Sequence, residues 1–119
     1  MYKPGHRDFS CLLNIVDSII KIKRYSKKFK NADHFYEDSL SFDAVMMNFV
    51  VIGEMAEKLS ENFILETETK IDWFKIRGFR NIIAHNYFGI DAEEVWQIIE
   101  GHLDDLKSNI ESITKTSGA

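Results

Sequence analysis

From Ala92 onward the apolar residues stand at Ala92, Trp96, Ile99, Leu103, Leu106, Ile110 and Ile113, in steps of four and three. That alternation keeps one face of an α-helix apolar, and it is the seam by which helices pack in bundles and coiled coils. A half-buried strand needs alternation at every second residue, and no Val/Thr-rich stretch of that kind occurs in the chain. One proline and six glycines in 119 residues leave long elements uninterrupted.

Three earlier stretches have a helical period. Phe9, Leu12, Leu13, Val16, Ile19 and Ile20 place a first helix from about Arg7 to about Phe29. A polar connector, "KNADHFYEDSLS", follows. The second helix, near Phe42 to Phe63, carries two seams, Phe42–Met46–Phe49–Gly53–Ala56 and Val45–Ile52–Met55–Leu59. A stripe this wide calls for neighbours on two sides. Gly53 weakens a helix interior relative to Ala, so a close helix approach is expected there. Asp72 is a good N-cap for the third helix, which carries Trp73, Phe74, Ile76, Phe79, Ile82 and Ile83, with Gly78 permitting close packing. Asn86 suits a left-handed helix end and Gly89 the following turn. Asp91 opens the fourth helix, with Glu94 three residues on as in a capping box.

The expectation is an all-α, up-and-down four-helix bundle with an additional short helix or connector. It forms one domain over residues 1–119, with a core at about 7–113 and a frayed tail at 114–119. Such a bundle has one interior, so a helix with two apolar sides argues for a homodimer.

At this length about two-thirds of the unfolded surface is buried on folding, enough to dispense with staples. Hydrophobic content of 45% and charged content of 29% are those of an ordinary globular chain. Cys11 is the one cysteine and sits among Phe9, Leu12 and Leu13, as a small buried apolar residue. "MYKPGHRDFS" has no apolar leader core, and "AVMMNFVVIG" is about half of what a membrane span needs. A cytoplasmic location without membrane contact is expected.

The net charge is −4 and uneven: eight Lys/Arg against two Asp/Glu in residues 1–30, and seven against seventeen in 31–119. The excess lies in "KIKRYSKKFK", Lys21 to Lys30. It reads either as a solvated helix end, where cations suit the dipole, or as a phosphate-tracking patch.

The polar constellation is "RGFRNIIAHNYFGID", Arg77 to Asp91. At about 100° per residue Asn81 and His85 share a face, Arg77 lies one turn earlier, and Arg80 can reach across toward the helix end. Tyr87 falls where the chain turns. These types suit phosphodiester cleavage: His moves a proton near neutral pH, and Arg meets the charge on a reacting phosphate. The plainer reading is a histidine on the helix dipole and an arginine paired with a carboxylate. Asn48 and Glu54, between the seams of the second helix, read first as satisfying a buried hydrogen bond and second as lining a cleft. His6, His34, His85 and His102 show no metal-site spacing, and Glu100, His102, Asp104 and Asp105 look like a solvated face. Neither a metal nor a cofactor is expected.

"RNIIAHNY" has the form Arg-x4-His-x-Tyr and resembles the signature of the HEPN superfamily, in its HepT-like branch. "VVIGEMAEKLS", "IDWFKIRGFRN" and "HNYFGIDAEEVW" resemble the flanking segments of that branch, so the likeness covers about Arg7 to Ile113. It implies an all-α homodimer whose motifs meet at a shared cleft. It further implies a toxin of a type II toxin–antitoxin pair, a metal-independent ribonuclease neutralised by an MNT-type nucleotidyltransferase. Arg80 and His85 would be the catalytic pair, Asn81, Tyr87 and Arg77 would support them or bind substrate, and Tyr87 would accept AMP. RNA contacts would be local to the dimer cleft, since residues 31–119 are acidic. The alternative is a non-catalytic dimeric module that binds a nucleotide or a protein.

Overall fold

The first helix, α1 (His6–Ser26), buries Leu12, Ile15, Ile19 and Ile22 completely. The computed structural model to which it belongs describes residues 5–118, so Met1–Pro4 of the stretch read for a leader lie outside it, as does Ala119. The buried stripe is rotated from the one expected. Ile15 and Ile22 point inward, while Leu13 and Ile20 are about half exposed, at 52% and 46%. The helix stops three residues early, at Ser26, whose hydroxyl donates back to the Ile22 carbonyl at 2.7 Å.

Inside the connector lies the additional short helix, α2 (Ala32–Glu37), capped by the Asn31 side chain accepting from His34 N–H. It buries Phe35 among Phe29, Phe42 and Trp96, with ring centroids 5.2–5.8 Å apart. Asp38 then caps α3 (Ser39–Lys58), accepting from Ser41 N–H at 3.0 Å. That bond holds the Asp38 carboxyl below the usual carboxylate range.

Helix α3 is the centre of the fold, with α1 and α5 (Trp73–His85) packed most extensively against it. The second apolar side of α3 is therefore covered within the protomer, and the expected surplus seam is accounted for internally. The "AVMMNFVVIG" run sits inside this 20-residue helix, which by length and a mean hydropathy of 1.3 could cross a membrane; here it serves as a core helix.

The expected second helix is two. Leu59 is extended, with φ −65° and ψ 143°, and Ser60 starts α4 (Glu61–Thr67) by accepting from Phe63 N–H. Buried Asp8 secures the break, accepting from Ser60 N–H at 2.8 Å and Ser60 O–H at 2.6 Å. The Thr67 hydroxyl donates to the Phe63 carbonyl and accepts from Trp73 Nε1, which ties α4 to the start of α5. Asp72 caps α5 as expected, accepting from Lys75 N–H at 2.9 Å.

Past α5, Asn86 has φ −148°, and among the described residues none takes a positive φ. The left-handed end expected at Asn86 is replaced by one 3-10 turn, Tyr87–Gly89. Gly89 answers to crowding instead: a Cβ there would stand 2.8 Å from Asn86 Cγ. Asp91 caps α6 (Ala92–Gly101) by accepting from Glu93 N–H, not from Glu94 as the capping-box pattern implied. The fourth helix also divides, at His102, where Gly101 loosens the backbone. Its seam continues across the break: Trp96, Ile99, Leu103, Ile110 and Ile113 are buried. The final helix, α7 (Leu103–Gly118), remains helical over most of the tail expected to fray. Cys11 is a buried free thiol.

Candidate active site

Residues 40, 43, 47, 51 and 54 share one azimuth of α3 by helical period, and all are exposed or half-exposed. Asp43 and Glu54 thus point the same way, eleven residues and about three turns apart. Helix α5 and the turn after it run antiparallel along this side. Phe79 meets Phe49 edge-on at 5.1 Å, Arg80 reaches Glu54, and Tyr87 reaches Asp43.

Arg80 is inserted into this contact. Its NH2 forms an ion pair with Glu54 Oε1, and its NH1 donates to Asn81 Oδ1 at 3.1 Å. The remaining donor, Nε, is buried without a partner. Its stem passes over Gly53, where a Cβ would lie 2.6 Å from Arg80 Cγ and nearer still to Arg80 Cβ. The close approach expected at Gly53 is the approach of Arg80 itself.

His85 occupies the last turn of α5, its side chain exposed and without a hydrogen bond among the described residues. Its i, i+4 relation to Asn81 puts both on the outward face of α5, with Phe74 on the same side. Tyr87 is partly buried, its ring edge-on to Phe42 at 6.2 Å and its hydroxyl donating to Asp43. Burial first, and the Asp43 bond second, push the Tyr87 phenol well above an ordinary tyrosine. His85 is therefore bracketed between two anchored residues, Arg80 and Tyr87, each held by a carboxylate of α3.

Arg77 stands apart. Its Nε and NH2 donate to the Ala56 carbonyl at 3.1 and 2.7 Å, beside Leu59, Glu61, Ile64 and Leu65. It closes the end of α3 and does not join the Arg80–Asn81 pair. Asn48 likewise serves the backbone, donating to the Ala44 carbonyl at 2.9 Å. Glu54 is the partner of Arg80, in an ion pair that is partly exposed and not buried. Asp43 went unnoticed in the sequence; its eleven-residue spacing from Glu54 on one helix face was the available signal.

Around the polar residues the surface is apolar. Leu40 and Met47 on the outward line of α3, Phe74 and Ile82 on α5, and Phe88 beside Tyr87 are all exposed, Phe88 almost completely. Among the described residues no group of three or more His, Cys, Asp or Glu side chains could hold a metal ion.

The model of the family described as "Ribonuclease HepT-like" matches residues 15–113. The chain belongs to the HepT-like family. A relative from Thermococcus cleftensis, named "Probable ribonuclease HepT", is 25% identical over 113 residues, which cover 95% of this chain and 99% of that protein. Another, from Methanocaldococcus jannaschii, is named "Gamma-glutamylcyclotransferase and putative RNase" and is 32% identical over 105 residues. Those residues are 87% of this chain and 46% of that protein, so the chain spans about half of that relative. No solved structure matches the chain significantly. The HepT-like match takes in α3, α5 and the turn that carry Glu54, Arg80, His85 and Tyr87.

Proposed function

We propose that this HepT-like chain is a metal-independent endoribonuclease toxin that acts as a homodimer, with Arg80 and His85 as its catalytic pair. The observation that carries the reading is the contrast between the two residues. Arg80 is half-buried and fixed, with one guanidinium nitrogen unpartnered, while His85, a little over one turn on, is exposed and uncommitted.

The chemistry is attack by an RNA 2′-hydroxyl on the adjacent phosphate. Neutral His85 takes the hydroxyl proton, and the oxygen forms its bond to phosphorus. Arg80, with Asn81 beside it, donates to the phosphate oxygens as their charge concentrates. The bond to the 5′-oxygen then breaks, leaving a 2′,3′-cyclic phosphate, and that oxygen needs a proton. One histidine per protomer supplies one of the two proton transfers. Two copies of the motif facing each other supply both, and the exposed Leu40, Met47, Phe74, Ile82 and Phe88 offer an apolar surface on which two protomers meet.

Tyr87 gives the site an off-switch. A partner nucleotidyltransferase joins the phenol oxygen to the α-phosphorus of ATP, with pyrophosphate leaving and the phenol proton released. The added phosphates place negative charge and bulk beside Arg80 and His85, where the RNA phosphate must go. The reaction requires the Tyr87 hydroxyl to give up Asp43.

The test is RNA cleavage in excess chelator by protein whose mass shows Tyr87 unmodified, next to a folded His85→Ala variant. Cleavage that falls by about 100-fold or more in the variant is expected for loss of a general base. Absence of cleavage by the native protein against several RNAs would return the chain to the class of dimeric binding modules.

A further inference from the structure

We infer that the basic pocket at the carboxyl end of α1 is a second RNA contact, which holds the phosphate backbone of the strand presented to His85; this rests on the ribonuclease reading above. The pocket has a volume of about 460 Å³, and its walls include Lys23, Arg24, Lys27, Phe29, Trp96 and Glu100.

Helix-dipole compensation does not account for the charge. In this protein α3 ends with one basic residue in its last turn, Lys58, and α5 with one, His85. Helix α1 has Lys23 and Arg24 there, and the ten residues from Lys21 to Lys30 hold six cations and no carboxylate. Three of the six are engaged: Lys21 with Asp17, Lys28 with Asp38, and Lys23 with Asp104 and the Ile99 carbonyl. Arg24, which lies over the Tyr25 ring, and Lys27 are exposed and have no carboxylate partner among the described residues. Both belong to the pocket. Two unpaired cations beside an accessible ring are what a single strand requires, the cations for phosphates and the half-buried Phe29 ring for a base. Glu100, the one carboxylate in the pocket, keeps the attraction local.

The pocket is also joined to the catalytic residues. From Trp96 in its wall, ring contacts lead through Phe35 and Phe42 to Tyr87, and no step exceeds 6.2 Å. Tyr87 is two residues from His85. The Trp96, Phe35 and Phe42 rings are buried and carry no strand themselves. They keep Trp96 and Tyr87 close enough that a few nucleotides of strand on the surface above would span from Arg80 to Arg24 and Lys27.

The test uses the full chain with Arg24→Glu and Lys27→Glu together, and a milder Arg24→Gln/Lys27→Gln protein as a second variant. Binding of a labelled oligoadenylate of about twenty nucleotides is followed by anisotropy across a salt series in the His85→Ala background. Loss of two phosphate contacts should weaken binding by about tenfold near physiological salt and flatten the log–log salt slope by about 1.4. With His85 intact, the preference for cleaving the oligomer over a dinucleoside monophosphate should fall by a similar factor. Unchanged affinity and slope overturn the inference, leave the pocket to an acidic protein surface, and do not touch the cleavage reading. Binding that depends on Arg24 and Lys27 without any cleavage upholds the pocket and overturns only the ribonuclease.

Discussion

Gly53 stands where any side chain would collide with Arg80. The obstructing atoms are the Cβ and Cγ of the arginine, close to its backbone and unable to swing aside, so the helices or the guanidinium must move. Gly53→Ala gains about 1 kcal/mol of helix propensity and loses about 1–3 kcal/mol to overpacking. A net loss in thermal unfolding is expected, with a larger proportional fall in RNA cleavage because Arg80 is displaced. Equal activity in the variant would mean that the position of Arg80 is unimportant.

Glu54 shares Arg80 with any incoming phosphate. Glu54→Gln keeps an acceptor and removes a competing charge, which is worth about 1 kcal/mol at this separation, or roughly fivefold. RNA affinity, measured in the His85→Ala background, should rise by that factor. The pair is partly exposed, so unfolding stability should change by less than about 1 kcal/mol. A fall in affinity would assign Glu54 to aiming the guanidinium.

The phenol of Tyr87 links stability to alkaline pH. Its folded pKa is raised, by burial and by the Asp43 bond, so the folded state favours the protonated form. An unfolded tyrosine ionises near pH 10, so the stabilisation is complete below about pH 10 and is withdrawn as pH rises above it. The stability gap between native protein and Tyr87→Phe should therefore hold steady up to about pH 10 and narrow as pH rises beyond it. A flat gap in denaturant titrations would contradict a buried, hydrogen-bonded phenol.

Met47, 62% exposed, lies between Asp43 and Glu54 on the outward line of α3. If two protomers meet there, Met47→Glu sets two like charges against each other across the two-fold axis. Sedimentation should then show a monomer where the native protein is a dimer, with little change in helix content. A dimer that survives Met47→Glu would move the interface off this face.

The helices were legible in the sequence because period and caps are local properties: Asp72 starts α5, and the seam from Ala92 to Ile113 is buried. The breaks were less legible. Ser60 leaves the helix because Asp8, fifty-two residues earlier, accepts from it twice, and no window of sequence contains both. The second seam of α3 suggested another molecule, but α5 covers it. At the site, Arg80, Asn81, His85 and Tyr87 were visible because they crowd into eight residues. Their holders, Glu54 and Asp43, were harder to see, since a carboxylate on a helix looks solvated until the helix facing it is known.

The Arg80–Glu54 pair joins residues 26 apart in the chain. A chain leaving the ribosome has made α3 before any of Arg80, and α5 must emerge and dock before the guanidinium is fixed. Until then there is an arginine and a histidine but no geometry. A ribonuclease of the kind proposed above would thus lack its site through most of synthesis and gain it only when α5 docks against α3.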